Sequence, residues 1–274
     1  MKENMSRVKI IVATHKKYQM PRDEMYLPLH VGAEGKKNED GEPLDIGYIK
    51  DNTGDNISEK NPAYCELTGL YWAWKNLDEE YIGLAHYRRH FGRKTKQLFD
   101  GVLTYRELEP MLSKYKIFVP KKRKYYIETL YSHYAHTHYA EHLNITREVL
   151  KEKYPEYLQE FDQTMHQRWG YMFNMMIMER TLLNEYCEWL FDILVELERR
   201  VDSSELSGFQ GRFYGRVSEL IFNVWLKHLI NSKKVTKSEI MELPYFHLEK
   251  INWIKKGKSF IMSKFIGRKY ESSF

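Results

Sequence analysis

The sequence predicts an α/β protein with a mostly parallel sheet that is covered by helices. Short β-branched runs alternate with amphipathic helical segments along the chain, which is the pattern of strands joined by helices. Two of those strands end directly in polar and cationic residues rather than in a plain turn. Open sheets of this class bind ligands at the carboxyl ends of their strands, so these two ends are the first candidates for a site.

The composition excludes several classes of protein. Of the 274 residues, 42% are hydrophobic and 15% aromatic, so the chain is not intrinsically disordered. The net charge of +5 comes from residues 251–274, which hold six basic side chains and one acid, whereas the first 250 residues hold 37 of each sign. This distribution does not fit a protein that coats nucleic acid over its whole surface.

The cysteines and the hydropathy pattern predict a cytoplasmic protein. Cys65 and Cys187 are the only cysteines, so neither a disulfide framework nor a zinc ribbon is expected. The first nine residues contain no apolar signal region. No uncharged apolar run approaches the roughly 18–20 residues that span a bilayer.

The two strands that end in polar residues are predicted at 8–13 and 81–85. Both are mainly apolar, with Lys9 the one charged residue, as expected for largely buried strands. The first leads into a short polar segment, residues 14–17, and the second into a cationic one, residues 86–91. Several polar groups in a row at a strand end are difficult to explain by packing, although a solvated turn remains an alternative for the first.

Between these strands the sequence predicts a long ordered loop and then a helix. Residues 21–61 lack helical periodicity and contain frequent turn formers, most densely at 51–58. A loop of this length in a folded domain is usually functional or disordered, and its apolar residues favour order. Asn61 and Pro62 then suit the cap and the first position of a helix.

The remaining elements continue the alternation of strands and helices. We expect strands at 116–119 and 173–178 and helices at 127–142, 181–200 and about 216–230. A glycine-rich stretch precedes the last helix.

Common nucleotide-binding and hydrolase signatures are missing from the sequence. It contains no phosphate loop, no Gly-x-Gly-x-x-Gly dinucleotide fingerprint and no Gly-x-Ser-x-Gly elbow. These absences disfavour an ATPase, a dehydrogenase and a serine hydrolase.

A group of histidines is a candidate for a metal site. His133, His136, His138 and His142 lie within ten positions, and the last two are spaced as on one helix face, where two imidazoles can share a zinc ion. A third ligand and an activating acid are missing, since Glu141 does not stand where a His-Glu-x-x-His motif requires it. No metal is therefore expected, and a half-exposed aromatic helix with His138 reaching a substrate cleft is favoured.

Arg88 and Arg89 are candidates for binding a diphosphate. Two guanidinium groups just past a strand end have the fork geometry for bidentate contacts with phosphate. If the substrate is a nucleoside diphosphate sugar, they could stabilise the departing diphosphate without a metal. The alternative for either arginine is a pairing with a structural carboxylate.

Glu219 is the candidate general base. It is predicted in the first turn of the helix introduced by Gly215, where a carboxylate can face a cleft and deprotonate an acceptor hydroxyl. The alternative is an exposed acid that is stabilised by the helix dipole.

Five segments occur together and in a fixed order, at residues 9–16, 51–58, 61–68, 71–75 and 83–89. The set resembles the bacterial capsular and exopolysaccharide biosynthesis glycosyltransferase family, which includes galactofuranosyltransferases. The resemblance covers about residues 8–230.

The resemblance implies a GT-A-like fold, with a Rossmann-type mixed sheet flanked by helices and a helical C-terminal portion. It implies one glycosyltransferase domain, residues 1–230. A nucleotide-sugar half would lie at about 1–120 and an acceptor half at about 121–230. A basic, apolar segment, 231–274, would follow.

The resemblance also implies roles for individual residues. The nucleotide-sugar would contact Ala13, Thr14, His15, Asp51, Asn52, Asn56, His86 and Tyr87. The acceptor would contact His138, Asn174 and Arg216. Glu219 would be the base of an inverting reaction, and Arg88 and Arg89 would stabilise the leaving UDP. Where such folds commonly carry Asp-x-Asp, this sequence reads His86-Tyr87-Arg88, so no cofactor is expected and dependence on manganese or magnesium is not favoured.

The expected activity is transfer of a sugar, galactofuranose in some relatives, from a UDP-sugar to a lipid-linked oligosaccharide in capsule, exopolysaccharide or O-antigen synthesis. The alternative is a non-catalytic subunit of an assembly complex that binds a glycan or a nucleotide-sugar, since 21 Tyr and 6 Trp suit sugar stacking. A third hypothesis is a nucleic-acid binder that uses the basic tail, whereas the favoured reading has no nucleic-acid partner.

The C-terminal residues 251–274 mix lysines with large apolar side chains. Such a segment suits the surface of an anionic membrane, which would place the protein at the inner face of the cell membrane. The alternative is a tail that packs on the body of the protein with its charges in water.

Overall fold

The computed structural model describes residues 7–95 and 99–248. The basic segment 251–274, predicted to contact a membrane, lies outside the described residues. The described residues form two units. The first contains residues 7–95, 99–121, 174–187 and 236–248, and the second contains residues 122–173 and 188–235.

The strands are β1 Val8–Thr14, β2 Tyr26–His30, β3 Ile49–Lys50, β4 Tyr81–His86, β5 Arg89–Phe91, β6 Ile117–Pro120, β7 Arg123–Lys124, β8 Trp169–Gly170, β9 Met176–Glu179, β10 Ile240–Leu243 and β11 Tyr245–His247. The α-helices are α1 Asn61–Tyr64, α2 Leu67–Asn76, α3 Tyr105–Leu108, α4 Leu130–Thr137, α5 Ala140–Lys153, α6 Leu158–His166, α7 Arg180–Arg200 and α8 Phe213–Asn231. Short 3₁₀ turns occur at Ser58–Lys60, Glu109–Met111, Pro155–Tyr157, Gln210–Arg212 and Lys237–Glu239.

The first unit is built on a mixed sheet with the strand order β10-β6-β9-β4-β1-β2-β3, to which β5 and β11 are attached. Strand β1 is parallel to β2 and β4, and β6 is parallel to β10, whereas β9 runs antiparallel to both β4 and β6. The predicted α/β architecture with a mostly parallel sheet is thereby confirmed.

The central strand β1 is largely buried, which explains why it is apolar apart from the half-buried Lys9 and the terminal Thr14. Val8, Ile10, Ile11 and Val12 have no exposed surface. Helix α2 lies close to this part of the sheet, because a Cβ added at Gly69 would come within 2.9 Å of the Val31 side chain. The helix and the parallel strands together hold the carboxyl ends of β1 and β4 in place.

Two predictions about residues 21–76 are wrong. The expected loop contains strand β2, which includes Pro28. Proline is tolerated there because β3 pairs only with Leu29 and His30, leaving Pro28 with no partner on that side. The expected single helix from Asn61 is split, since Cys65 adopts φ 53° and ψ −130° between α1 and α2.

The predicted helix at 127–142 is also two helices. His138 follows α4 in an extended conformation, with φ −134° and ψ −160°, and α5 begins at Ala140. His138 and His142 therefore do not share one helix face, contrary to the spacing argument.

The sheet includes residues that the sequence assigned to a separate C-terminal segment. Strand β10 pairs with β6, and β11 pairs with β5. The boundary expected at residue 231 is therefore wrong for residues 240–247, which lie in the first unit.

The second unit consists mainly of α4, α5, α6, the carboxyl part of α7 and α8. It also contains a two-stranded ribbon in which Arg123 pairs with Gly170 and Lys124 pairs with Trp169. Within the described ranges, no helix combines the length and the apolar character needed to cross a bilayer.

Candidate functional site

The structure brings the two polar strand ends together, as the parallel arrangement predicts. Strands β1 and β4 are neighbours, with Ala13 opposite His86. The Tyr87 backbone N–H donates to the Ala13 carbonyl oxygen over 3.2 Å. Residues 13–15 and 86–88 therefore share one edge of the sheet, which we call the strand-end edge.

The predicted residues at this edge differ in what they can offer a ligand. Ala13 and Thr14 are buried, and the Thr14 hydroxyl donates to the Lys16 carbonyl oxygen over 2.7 Å. These two residues shape the turn, whereas His15 is exposed and His86 is half-buried.

An aromatic cluster lies at the strand-end edge around Tyr87. The Tyr18 ring stacks on it with centroids 4.2 Å apart, and the His15 ring meets it edge-on at 5.3 Å. The Tyr48 hydroxyl donates to the Tyr18 carbonyl oxygen, which fixes the backbone of the cluster. Sequence reasoning missed Tyr18, although its position four residues past the strand end was a usable signal.

Arg88 and Arg89 occupy different environments. Arg88 is exposed at the turn after β4, with its guanidinium carbon 5.1 Å from the Tyr87 ring centroid. Arg89 is half-buried in β5, and its Nε donates to Nδ1 of His247 over 3.4 Å. Arg88 is therefore the exposed cation beside the cluster, whereas Arg89 is tied to β11.

Asn174 reaches the same edge from the antiparallel strand β9. Because Met176 pairs with Leu84, the residue two positions earlier lies beside the end of β4. Asn174 has φ 50°, is 3% exposed and donates from Nδ2 to Oε1 of Glu66 over 2.7 Å. Asn174 therefore precedes β9 rather than lying in a strand, and Glu66 is a carboxylate at this edge that sequence reasoning missed.

Asp51 is the centre of a fully paired, buried cluster. Its carboxylate accepts from the Gly32 and Ala33 backbone N–H groups over 2.9 and 3.1 Å, from the Thr68 hydroxyl over 2.7 Å and from the Ser58 hydroxyl. The residue has no exposed surface. Four donors satisfy both oxygens, so the prediction that Asp51 contacts the base or ribose does not fit the structure.

The Asp51 cluster shapes the loops beside β2. Gly32 has φ 67°, and a Cβ there would lie 2.4 Å from the Asn61 side chain, so this position requires glycine. Asn52 donates to Glu34 over 3.1 Å, and the Asn56 side chain accepts from the Ser58 N–H over 3.1 Å. Both asparagines are partly exposed, and their predicted contact with a nucleotide stays a prediction.

Glu219 lies on α8 in the second unit and is half-buried. The helix begins at Phe213, so Glu219 stands in its second turn and not in the first turn as predicted. A helix-dipole explanation for this acid is weakened, because the dipole acts mainly on the first turn. Arg216 lies one turn earlier on the same side of the helix.

His138 and Arg216 are brought together around Phe209. The Arg216 guanidinium lies 4.2 Å from the Phe209 ring centroid and donates to the Phe209 carbonyl oxygen over 2.7 Å, while the His138 ring is 6.1 Å from the same ring. Burial, and then the positive charge of Arg216, lower the pKa of His138 to about 3. The imidazole is therefore neutral near pH 7.

A hydrogen bond assigns the tautomer of this neutral imidazole. His138 Nδ1 lies 2.9 Å from the Gln210 carbonyl oxygen Oε1, and the Gln210 amide donates to the Thr137 carbonyl oxygen. Since Oε1 only accepts, Nδ1 carries the proton and Nε2 holds the lone pair.

The neighbouring His142 is buried for structural reasons. Its ring stacks on Phe213 at 4.0 Å, and its Nδ1 lies 2.9 Å from the Tyr134 hydroxyl oxygen. Burial, with the charge of Arg216, lowers its pKa to about 4. In the part of the chain covered by the structure, no three His, Cys, Asp or Glu side chains are grouped so that they could hold a metal ion.

Residues 9–232 match the model of a family described as a domain of unknown function, DUF4422. The chain belongs to the DUF4422 family. The family description names no activity, and no curated protein matches the chain. The matched range agrees with the 8–230 expected from the sequence motifs.

This DUF4422 chain is similar to a solved structure described as the apo form of WbbM, a bifunctional glycosyltransferase. The two share 29% sequence identity with a TM-score of 0.78 over 89% of this chain. The match covers 45% of the WbbM chain, so this protein spans less than half of that length. The likeness agrees with the predicted GT-A-like fold, a mixed sheet flanked by helices with a helical C-terminal part.

Proposed function

We propose that this protein is a glycosyltransferase that uses a UDP-sugar donor. The observation that carries the proposal is its likeness, over nearly the whole chain, to a glycosyltransferase structure with 29% identity. The residues that sequence reasoning selected for the donor agree with it, because most of them meet at the strand-end edge.

In this proposal the strand-end edge binds the nucleotide. The uracil ring is flat and suits the Tyr18–Tyr87 cluster, whose rings are stacked at 4.2 Å. The diphosphate is anionic and suits the exposed guanidinium of Arg88 next to that cluster. Arg89 is a positioning residue that fixes the turn through β5 and His247.

The proposed chemistry is an inverting displacement. Glu219 takes the proton of an acceptor hydroxyl while the oxygen bonds to the anomeric carbon and the bond from that carbon to UDP breaks. Arg88 stabilises the charge that develops on the departing UDP. Neutral His138, with Asn174 and Arg216, would contact the acceptor.

The acceptor is proposed to be a lipid-linked oligosaccharide of capsule, exopolysaccharide or O-antigen synthesis, and galactofuranose is the first sugar to test. The basic segment 251–274 would hold the protein on an anionic membrane from the cytoplasmic side.

A panel of UDP-sugars tests the proposal. Each is titrated into the protein by calorimetry, and UDP release is then followed with lipid-linked acceptors in excess EDTA. Binding of at least one UDP-sugar and acceptor-dependent UDP release are expected. Binding without turnover would favour the non-catalytic subunit, and binding of none would contradict the donor class. Activity that is lost in EDTA and restored by manganese would reject metal independence.

Arg88→Gln tests the assigned donor site. A charge-assisted contact with phosphate is worth about 1.5–3 kcal/mol, so UDP affinity should fall roughly tenfold to a hundredfold. Lys17→Gln is the matched control, since it removes one exposed cation a few residues past the end of β1. If the two variants bind UDP with equal affinity, the diphosphate does not contact Arg88.

A further inference from the structure

The second unit carries a ribbon whose shape is fixed by hydrogen bonds. It consists of residues 122–127 and 168–171, with β7 paired to β8, and we call it the basic–aromatic ribbon. The Tyr125 N–H donates to the Arg168 carbonyl oxygen over 2.7 Å, and the Arg168 guanidinium reaches the Tyr126 carbonyl oxygen at 3.5 Å. These bonds extend the pairing beyond β7 to the tip.

The tip of the ribbon exposes large apolar side chains. Tyr126 is 84% exposed, the adjacent Ile127 is 66% exposed, and Trp169 on the opposite strand is 37% exposed. Large apolar side chains are stabilised by removal from water, so two consecutive exposed ones favour a surface that is covered in use.

The ribbon is also strongly basic. It contains Lys122, Arg123, Lys124 and Arg168 and no acidic residue. The next acid along the chain, Glu128, is 5% exposed, and its two oxygens lie 2.9 and 2.6 Å from Nδ1 of two histidines. Glu128 therefore faces these histidines, and an anionic partner would complement the charge of the ribbon.

The position of Lys122 favours a lipid surface over a glycan. Its ammonium lies 4.4 Å from the Trp169 ring centroid and 5.3 Å from that of Tyr171, so it covers a ring face that a sugar would stack on. Ile127, exposed directly after Tyr126, suits acyl chains rather than hydroxyl groups. Tryptophan, tyrosine and lysine side by side are typical of the membrane–water interface.

We propose that the basic–aromatic ribbon docks on the surface of an anionic lipid bilayer, with Tyr126 and Ile127 inserted among the headgroups and the four cations paired with lipid phosphates. This contact is made by the folded body of the protein. It requires neither the segment 251–274 nor any substrate.

The basic–aromatic ribbon is hydrogen-bonded to helix α8, so docking of the ribbon would also orient that helix. The Asn223 side chain accepts from the Tyr171 N–H over 2.7 Å and donates to the Tyr171 carbonyl oxygen over 2.9 Å. Its amide also donates to the carbonyl oxygen of Glu219, one turn earlier on the helix. If the proposed function is right, docking would set the orientation of α8, and with it of Glu219, relative to the membrane that holds the acceptor.

Flotation with vesicles tests the docking on the full chain without substrate. Phosphatidylcholine vesicles containing 30% phosphatidylglycerol should bind the protein, and pure phosphatidylcholine vesicles should bind it far less. Tyr126→Ser with Ile127→Ser should weaken binding at least tenfold, and each of Lys122→Gln, Lys124→Gln and Arg168→Gln about fivefold. Lys151→Gln, an exposed cation on α5, is the matched control and should leave binding unchanged.

Hydrogen exchange on the unmutated protein gives a second readout that does not depend on how the variants fold. Anionic vesicles should slow exchange at residues 122–127 and 168–171. The proposal would be overturned if the ribbon variants bind vesicles as tightly as the unmutated chain and vesicles do not slow hydrogen exchange at the ribbon of the unmutated protein. Binding to an acidic polysaccharide but not to vesicles would also overturn it. Because no substrate is present, either result leaves the glycosyltransferase proposal standing.

Discussion

Two buried polar clusters, one in each unit, are built on opposite principles. Around Asp51 a carboxylate is held by four uncharged donors, two from the backbone and two hydroxyls. Around His138 and His142, imidazoles are kept neutral by burial and by the positive charge of Arg216. The first cluster should lower the stability of the fold when one of its donors or acceptors is changed. The second should lower it when acidic pH protonates its imidazoles.

The largest expected effect is on the Asp51 cluster. Asp51→Asn replaces one acceptor oxygen with an NH₂ group that faces a donor, and a buried donor without an acceptor costs about 1–3 kcal/mol. We therefore expect the free energy of unfolding in urea to fall by about 3 kcal/mol. Asp40→Asn, at an exposed aspartate of the same unit, should change it by less than about 0.5 kcal/mol. Equal effects would contradict the support role of Asp51.

The histidine cluster should make stability depend on pH. His138 and His142 have folded-state pKa values of about 3 and about 4, below the 6.5 of an unperturbed imidazole. Between these values the unfolded chain binds protons that the folded chain does not, so the stability is complete above pH 6.5 and falls as the pH is lowered. The slope should be about 1.4 kcal/mol per pH unit for each imidazole.

His138→Asn isolates the contribution of this cluster to the pH dependence of stability. Other acid-sensitive groups contribute as well, among them buried His90, whose pKa is lowered to about 4 by burial. Asparagine keeps an N–H for Gln210 but does not titrate. Urea unfolding at pH 5.5, 5 and 4.5 should therefore show a slope reduced by about 1.3 kcal/mol per pH unit. His166→Asn, at an exposed histidine, should leave the slope unchanged, and a similar change in both variants would argue against the cluster.

The smallest effect concerns the backbone beside Asp51. Cys65 has φ 53° and ψ −130°, a conformation that costs a side chain roughly 1 kcal/mol but suits glycine. Cys65→Gly should therefore be more stable than Cys65→Ala by about 1 kcal/mol in thermal unfolding. A more stable alanine variant would mean that the turn between α1 and α2 relaxes to another conformation.

The sequence was sufficient for the features that depend on local pattern. The strand ends of β1 and β4 were predicted because apolar runs stop at polar residues, and parallel pairing then brings them together. Strand β2 was missed because proline is uncommon inside a strand. Pro28 is tolerated there because the outer edge of β2 is partly unpaired. Asp51 was misassigned because its four donors come from residues 32, 33, 58 and 68, and no local pattern reveals that convergence.

The candidate site shows the same limit. Arg88 and Arg89 look equivalent in the sequence, and only the pairing of β5 with β11 separates an exposed cation from a half-buried one. Tyr18 and Glu66 were not selected, since their relevance depends on a ring stack and on a hydrogen bond from Asn174. The start of α8 at Phe213 puts Glu219 in the second turn rather than the first, which weakens the helix-dipole explanation of this acid.

The proposed division of labour, donor binding by the first unit and proton removal by Glu219 in the second, is tested most directly by Glu219→Gln. With the donor found in the panel, the rate of sugar transfer should fall by roughly 10²–10⁴-fold, because a general base contributes about that factor. The donor dissociation constant should change less than twofold. Glu141→Gln, an exposed glutamate on α5, should transfer at the unmutated rate. Transfer by Glu219→Gln at the unmutated rate would contradict the account.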